Sequence, residues 1–209
     1  MESINYWKNQ FEDYLSKRPC EDGSHDLSHF RRVWKIAEGL AEPQDDLLVI
    51  LAACYFHDFV SYPKNHPKRS QSSVDAAKES AIVLRDMGFP EDKMDAVKHC
   101  IEAHSFSANI ATQTREAEVV QDADRMESLG AIGLARTFYV AGLMGSHLFD
   151  SEDPFAKNRK LDDRSYAIDH FEAKLFKLPG SMKTEKGRAE AKRRAMVLSN
   201  YLKDLEAEL

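Results

Sequence analysis

A chain of 209 residues, 43% hydrophobic and 31% charged, has the composition of a globular protein with a sizeable core. Its formal net charge of −6, with no long basic run, excludes a protein that grips DNA or RNA through the phosphates. A small anion held by a local cluster of cations is still allowed.

Ile4, Trp7, Phe11 and Leu15 recur at helical spacing and predict an amphipathic first helix over residues 3–17. Pro19 to Gly23 reads as a loop. Ser24 or Ser28 is placed to cap a second helix with the stripe Val33, Ile36, Ala37 and Leu40, ended by Gly39 and Pro43. A third helix, starting near Asp45, carries the uncharged run Leu47–Phe56, which stops abruptly at His57-Asp58. Residues 59–72, punctuated by Pro63 and Pro67, read as an irregular loop bearing Lys64, His66, Lys68 and Arg69. Further helices are predicted at 73–87, closed by Gly88, at 91–104 behind Pro90, and at 116–124 after the polar link Ser105 to Thr114. Leu129 to Phe149 is weakly polar but contains Arg136, His147 and four glycines, so it reads as a closely packed buried helix and not a membrane span. Residues 150–164 read as a charged surface loop, and the last two helices as 165–178 and 184–206. Strand-like alternation is nearly absent. The expectation is an all-α, single-domain helical bundle over 1–209, with a core at about 24–150 and C-terminal helices 165–206 packed on it.

Three cysteines (Cys20, Cys54, Cys100) without CxxC spacing argue against a disulfide framework and for a reducing compartment. The first eight residues lack the basic-then-apolar order of a signal peptide, so a cytoplasmic location is expected.

The chemistry concentrates at His57-Asp58. A helix that is apolar on every side is buried, and an imidazole and a carboxylate at its end are costly there unless each finds a strong partner. A divalent cation serves both, because neutral His and ionised Asp are good ligands. Other His and Asp residues at helix borders are His25, His29, His99, His104, Asp122 and Asp124, with His25 and His29 one turn apart.

In these words the sequence resembles the HD superfamily of metal-dependent phosphohydrolases, and within it a bacterial and fungal branch of HD hydrolases. His29, in the stretch Ser24 to Val33, matches the first metal histidine, His57-Asp58 the central pair, and Asp124 in Gln121-Asp122-Ala123-Asp124-Arg125-Met126 the final ligand. Ser105-Phe106-Ser107, Gly130 to Phe138, His170-Phe171 and Met182-Lys183-Thr184-Glu185 extend the match, which runs nearly unbroken from His25 onward.

The resemblance implies one divalent ion, Mn²⁺ or Mg²⁺ before Co, Ni, Fe or Zn, held by His29, His57, Asp58 and Asp124. Asp58 is then the candidate for orienting the attacking water or taking its proton, with His25 as a second catalytic candidate. Lys64, Lys68 and Arg69 are candidates for the non-reacting phosphate oxygens, set against the plainer reading of a solvated loop. His99 and His104 are candidates for lining the same pocket. Five positions apart, they turn away from each other on one continuous helix, which favours a single metal.

Where some nucleotidase branches place an acid just after the pair, this chain reads Phe59-Val60-Ser61-Tyr62, and the next acid is Asp75. Cleavage releasing pyrophosphate or another good leaving group suits such a site. The expected function is therefore hydrolysis of a small phosphorylated substrate, a nucleotide first. A di-iron oxygenase and a non-catalytic nucleotide sensor are the alternatives. Asp122 is expected to support the ligands, Arg136 to pair with an internal acid, and His147 and His170 to be structural. No nucleic-acid polymer or membrane partner is expected, and a homodimer is left open.

Overall fold

The computed structural model describes residues 3–18, 26–62 and 66–209. It is all-α, and the only β-type pairing among the described residues is a single bridge between His147 and Tyr166. The chain forms two compact units, residues 1–124 and 125–209. Among the described residues, no helix is long and apolar enough to cross a membrane.

In the first unit α1 is Ile4–Ser16, α2 Leu27–Leu40, α3 Leu47–Phe56, α4 Ser72–Asp86 and α5 Met94–His104, while α6 (Arg115–Met126) runs through the junction. Helix α3 is the axle. Every residue from Val49 to Phe56 is buried, as an uncharged run demands, and α1, α2, α4 and α5 pack around it. Helix α1 contributes Trp7, Phe11 and Leu15 from one stripe. Fully burying side chains of this size is worth ~1.5–3 kcal/mol each before entropy is counted.

The caps fix where these helices start. Asp26, and not Ser28, caps α2 by accepting from the His29 backbone N–H at 3.0 Å; Ser28 instead donates its hydroxyl to Asp26 at 2.6 Å. Ser24 lies outside the described residues. Asp46 caps α3 through the Leu48 and Val49 N–H groups at 3.1 and 3.3 Å, and Lys93 pairs with the same carboxylate. Gly88, at φ +76°, ends α4 in a left-handed turn that any side chain would strain.

The second unit holds α7 (Gly130–Met144), α8 (Asp169–Ala173), α9 (Leu178–Ser181) and α10 (Glu185–Glu208). Two expectations are corrected here. Helix α7 is not buried all round, since Ile132, Tyr139 and Leu143 are exposed, and it stops at Gly145 (φ +69°) well before Phe149. The helix expected over 165–178 is broken. The backbone from Ser165 to Ile168 is drawn off to pair with His147 and Leu148, through N–H to carbonyl bonds of 2.9–3.0 Å, leaving a five-residue α8. Pro179 then falls in the first turn of the short α9.

The charged 150–164 segment is anchored. Arg159 makes a forked pair with the buried carboxylate of Asp169, one arm at 2.8 Å, and lies over the Tyr166 ring. Phe138, Phe171 and Tyr201 form an aromatic cluster between α7, α8 and α10. Arg136 pairs with the buried Glu127 at 3.6 Å, the internal acid its setting calls for.

Candidate metal centre

Four helices of the first unit deliver one converging set of side chains. His29 stands in the first turn of α2, held there by the Asp26 cap. His57 closes α3 and Asp58 follows it. His104 is the last residue of α5, and Asp124 lies near the end of α6.

Two of the histidines are set by the same device. The Nδ1–H of His57 donates to the Cys54 carbonyl at 2.9 Å, and that of His104 to the Ile101 carbonyl at 2.6 Å, each three residues back at a helix C-terminus. A carbonyl can only accept, so Nδ1 carries the proton and Nε2 presents its lone pair to the site. The His29 and His57 Nε2 atoms lie 3.2 Å apart. Asp124 Oδ1 is 3.5 Å from His57 Nε2 and 3.7 Å from His29 Nε2. Asp58 reaches in two directions, with Oδ2 3.5 Å from His57 Nε2 and Oδ1 3.6 Å from His104 Nε2. His29 and His57 are fully buried, whereas the Asp58 and Asp124 side chains keep 16% and 27% exposure, so the site opens on its carboxylate side.

The electrostatics follow from this packing. Burial alone would push the His57 pKa down, but the facing carboxylates of Asp58 and Asp124 overcome it and hold the group at about 9. Burial likewise favours the protonated form of Asp124, yet the hydrogen bond and charge of His57 keep its carboxyl well below the usual carboxylate range. Two imidazole nitrogens 3.2 Å apart beside two acids favour a positive charge among them, and a proton on His57 supplies one. A divalent ion is the alternative, because neutral imidazole nitrogens and carboxylate oxygens are both good ligands. The donor set fits such an ion, and the ligand atoms fall into two triads, His29–His57–Asp124 and His57–Asp58–His104, joined at His57.

The remaining candidates divide. His25 and Lys64 lie outside the described residues. Lys68 is exposed, and its backbone N–H donates to His66 Nδ1. Arg69 donates to the Tyr62 carbonyl and, at 3.2 Å, to the Ser61 hydroxyl, so it staples its own loop. His99 and His104 part company as their spacing implies: the His99 Nε2 accepts the Gln113 backbone N–H at 2.9 Å and does not join the ligand cluster. Asp122 is fully buried. Three contributors were not singled out from the sequence. The Cys54 and Ile101 carbonyls are readable only once a histidine is known to end its helix. Gln121, buried on α6, donates from Nε2 to the Ala103 carbonyl at 2.7 Å.

Residues 26–129 match the model of the HD domain family. The chain is 29% identical over 194 residues to the uncharacterized protein YpgQ of Bacillus subtilis (strain 168), an alignment covering 90% of this chain and 86% of that protein. It resembles the crystal structure of YpgQ in complex with ADP at 27% identity and a TM-score of 0.71, over 98% of this chain and 94% of the other. An HD-superfamily hydrolase from Bacillus thuringiensis gives 26% identity and a TM-score of 0.74, over 99% and 98%.

Proposed function

The chain belongs to the HD superfamily through its HD domain, and on that premise we propose that it is a metal-dependent phosphohydrolase acting on a small phosphorylated molecule, a nucleotide in the first instance. The observation that carries this reading is the pair of ligand triads, His29–His57–Asp124 and His57–Asp58–His104, that share His57 at the end of α3. The ADP bound to YpgQ supports a nucleotide over other phosphate esters.

When bound, a divalent ion supplies a Lewis acid for the phosphoryl oxygens and lowers the pKa of water. His29 and His57, the latter's ring fixed by the Cys54 carbonyl, would hold such an ion together with Asp124. Asp58 stands between His57 and His104 with partial exposure, so it can accept a proton from an attacking water while His104 Nε2 faces its other oxygen. The positions after the pair, Phe59 to Tyr62, bring no acid to protonate a leaving oxygen. The site therefore suits a leaving group stable as an anion, pyrophosphate above all.

A screen of nucleotides with Mn²⁺, Mg²⁺, Co²⁺ and Ni²⁺, with products identified by phosphorus NMR, tests this directly. Turnover should depend on metal, release pyrophosphate, and vanish in His57→Ala and Asp124→Ala. Full activity in either variant would refute the site assignment.

The second triad favours one other reading, a di-iron oxygenase with His104 as a ligand. Metal analysis of protein purified without added metal separates the two: two irons per chain support the oxygenase, one Mn or Mg supports the hydrolase.

A further inference from the structure

We infer that Gln121 is a positioning residue of the metal centre, a brace that holds the last turn of α5 at a fixed spacing from α6. Gln121 is only 3% exposed, and its carboxamide Nε2 donates to the Ala103 carbonyl at 2.7 Å. Ala103 directly precedes His104, and Gln121 stands one helical turn before Asp124, on the same side of α6. One side chain therefore ties together the two stretches of backbone that carry His104 and Asp124. Between them the chain runs through the irregular segment 105–114, whose tie to α5, the Gln113 N–H donated to His99, lies more than one turn before His104.

The other half of the carboxamide shows that core packing is not what this residue serves. Its Oε1 is buried and has no hydrogen-bond partner among the described residues. A buried acceptor left in that state costs ~1–3 kcal/mol, which an apolar side chain of similar volume would avoid. An apolar replacement would in turn leave the buried Ala103 carbonyl without this donor, so the two effects on stability nearly cancel and what remains is the spacing the side chain fixes. Partners that hydrogen-bond a ligand directly typically change metal affinity by ~10–100-fold when they are lost; Gln121 bonds the backbone beside His104, one step further out, and its effect falls at the low end of that range.

The inference rests on the reading of His29, His57, Asp58 and Asp124 as metal ligands. Gln121→Met keeps the volume and removes the brace. Mn²⁺ affinity measured by titration calorimetry should weaken by roughly tenfold, while the metal-free variant melts close to the metal-free wild type. A variant that binds Mn²⁺ as tightly as wild type overturns the inference, whatever its melting temperature. If wild type binds no Mn²⁺, the metal-site reading falls and takes this one with it, so the two failures are distinguishable.

Should Gln121→Met not fold, the wild-type protein decides. The Gln121 side-chain NH₂ signals in a nitrogen-proton NMR spectrum should be protected from exchange and should shift when Zn²⁺ is added. Signals that exchange freely and do not move overturn the inference.

Discussion

Glu12 on α1 is the junction of three helices of the first unit, and Glu12→Gln measures what that junction contributes. Its carboxylate accepts the Tyr55 hydroxyl of α3 at 2.6 Å on one oxygen and the Arg31 guanidinium of α2 at 2.6 Å on the other. The Arg31 hydrogen bond is the main reason its pKa lies below the ordinary value, with Tyr55 adding to it against the opposing effect of burial. The amide can still accept from Tyr55 but offers an NH₂ or a neutral oxygen to Arg31. A hydrogen bond to a charged group is worth ~1.5–3 kcal/mol, and the 53% exposure of Arg31 screens part of it, so the loss at neutral pH is about 1–2 kcal/mol. At ~2–4 °C per kcal/mol for a chain of this size, the melting midpoint falls by roughly 2–8 °C.

The pH dependence carries the sharper test. A carboxyl whose folded pKa is depressed adds stability above its unfolded value and loses it as pH falls through the folded one. The gap between wild type and Glu12→Gln should therefore be full at pH 7 and shrink below the ordinary glutamate range near 4.5. Urea unfolding at a series of pH values reads this out. A gap that stays constant from neutral to acid pH would refute the assignment of the effect to the Glu12 charge.

Three further outcomes follow from other parts of the molecule. Gly133→Ala places a Cβ 2.2 Å from the Ser128 carbonyl carbon, a backbone atom that must move, so thermal unfolding should show a loss of about 1–3 kcal/mol. Arg159→Ala strips the forked partner from the buried Asp169, a loss of about 3–5 kcal/mol in denaturant unfolding, whereas breaking the exposed Lys157–Glu206 pair should leave the midpoint unchanged. Chelation should abolish activity, and Mn²⁺ should restore it. Excess Mn²⁺ should also raise the wild-type melting midpoint, by the equivalent of ~2.7 kcal/mol at a hundred times Kd, and leave Asp124→Ala unmoved.

The first unit was largely legible because its signals are local. Trp7, Phe11 and Leu15 declare α1 by spacing alone, and an uncharged run ending in His-Asp declares both the buried axle and the place where burial becomes expensive. The caps were harder: Asp26 and Ser28 are both competent, and the competition is settled by Ser28 donating to Asp26. The broken helix at 165–178 was not legible, because its cause is a backbone pairing with His147 and Leu148 some twenty residues away. Arg69 shows what a loop cation does that its sequence position cannot tell: one guanidinium nitrogen is given to the loop's own Tyr62 carbonyl and Ser61 hydroxyl.

His57 and His104 show how a helical fold can build a rigid centre from few residues. Each ends its helix, where the last carbonyls lack an intrahelical N–H partner. Each spends its Nδ1–H on one of those carbonyls, which satisfies the helix end and fixes the ring in one operation. Both rings then present Nε2 to opposite oxygens of a single carboxylate, Asp58. The position of Asp58 is thus set against two helix ends at once. A disturbance of either α3 or α5 should register first as a change in metal affinity and only later as a loss of fold. A double-mutant cycle of His104→Ala and Asp58→Asn, read by Mn²⁺ binding, tests that dependence: strict additivity would mean that His104 does not act through Asp58.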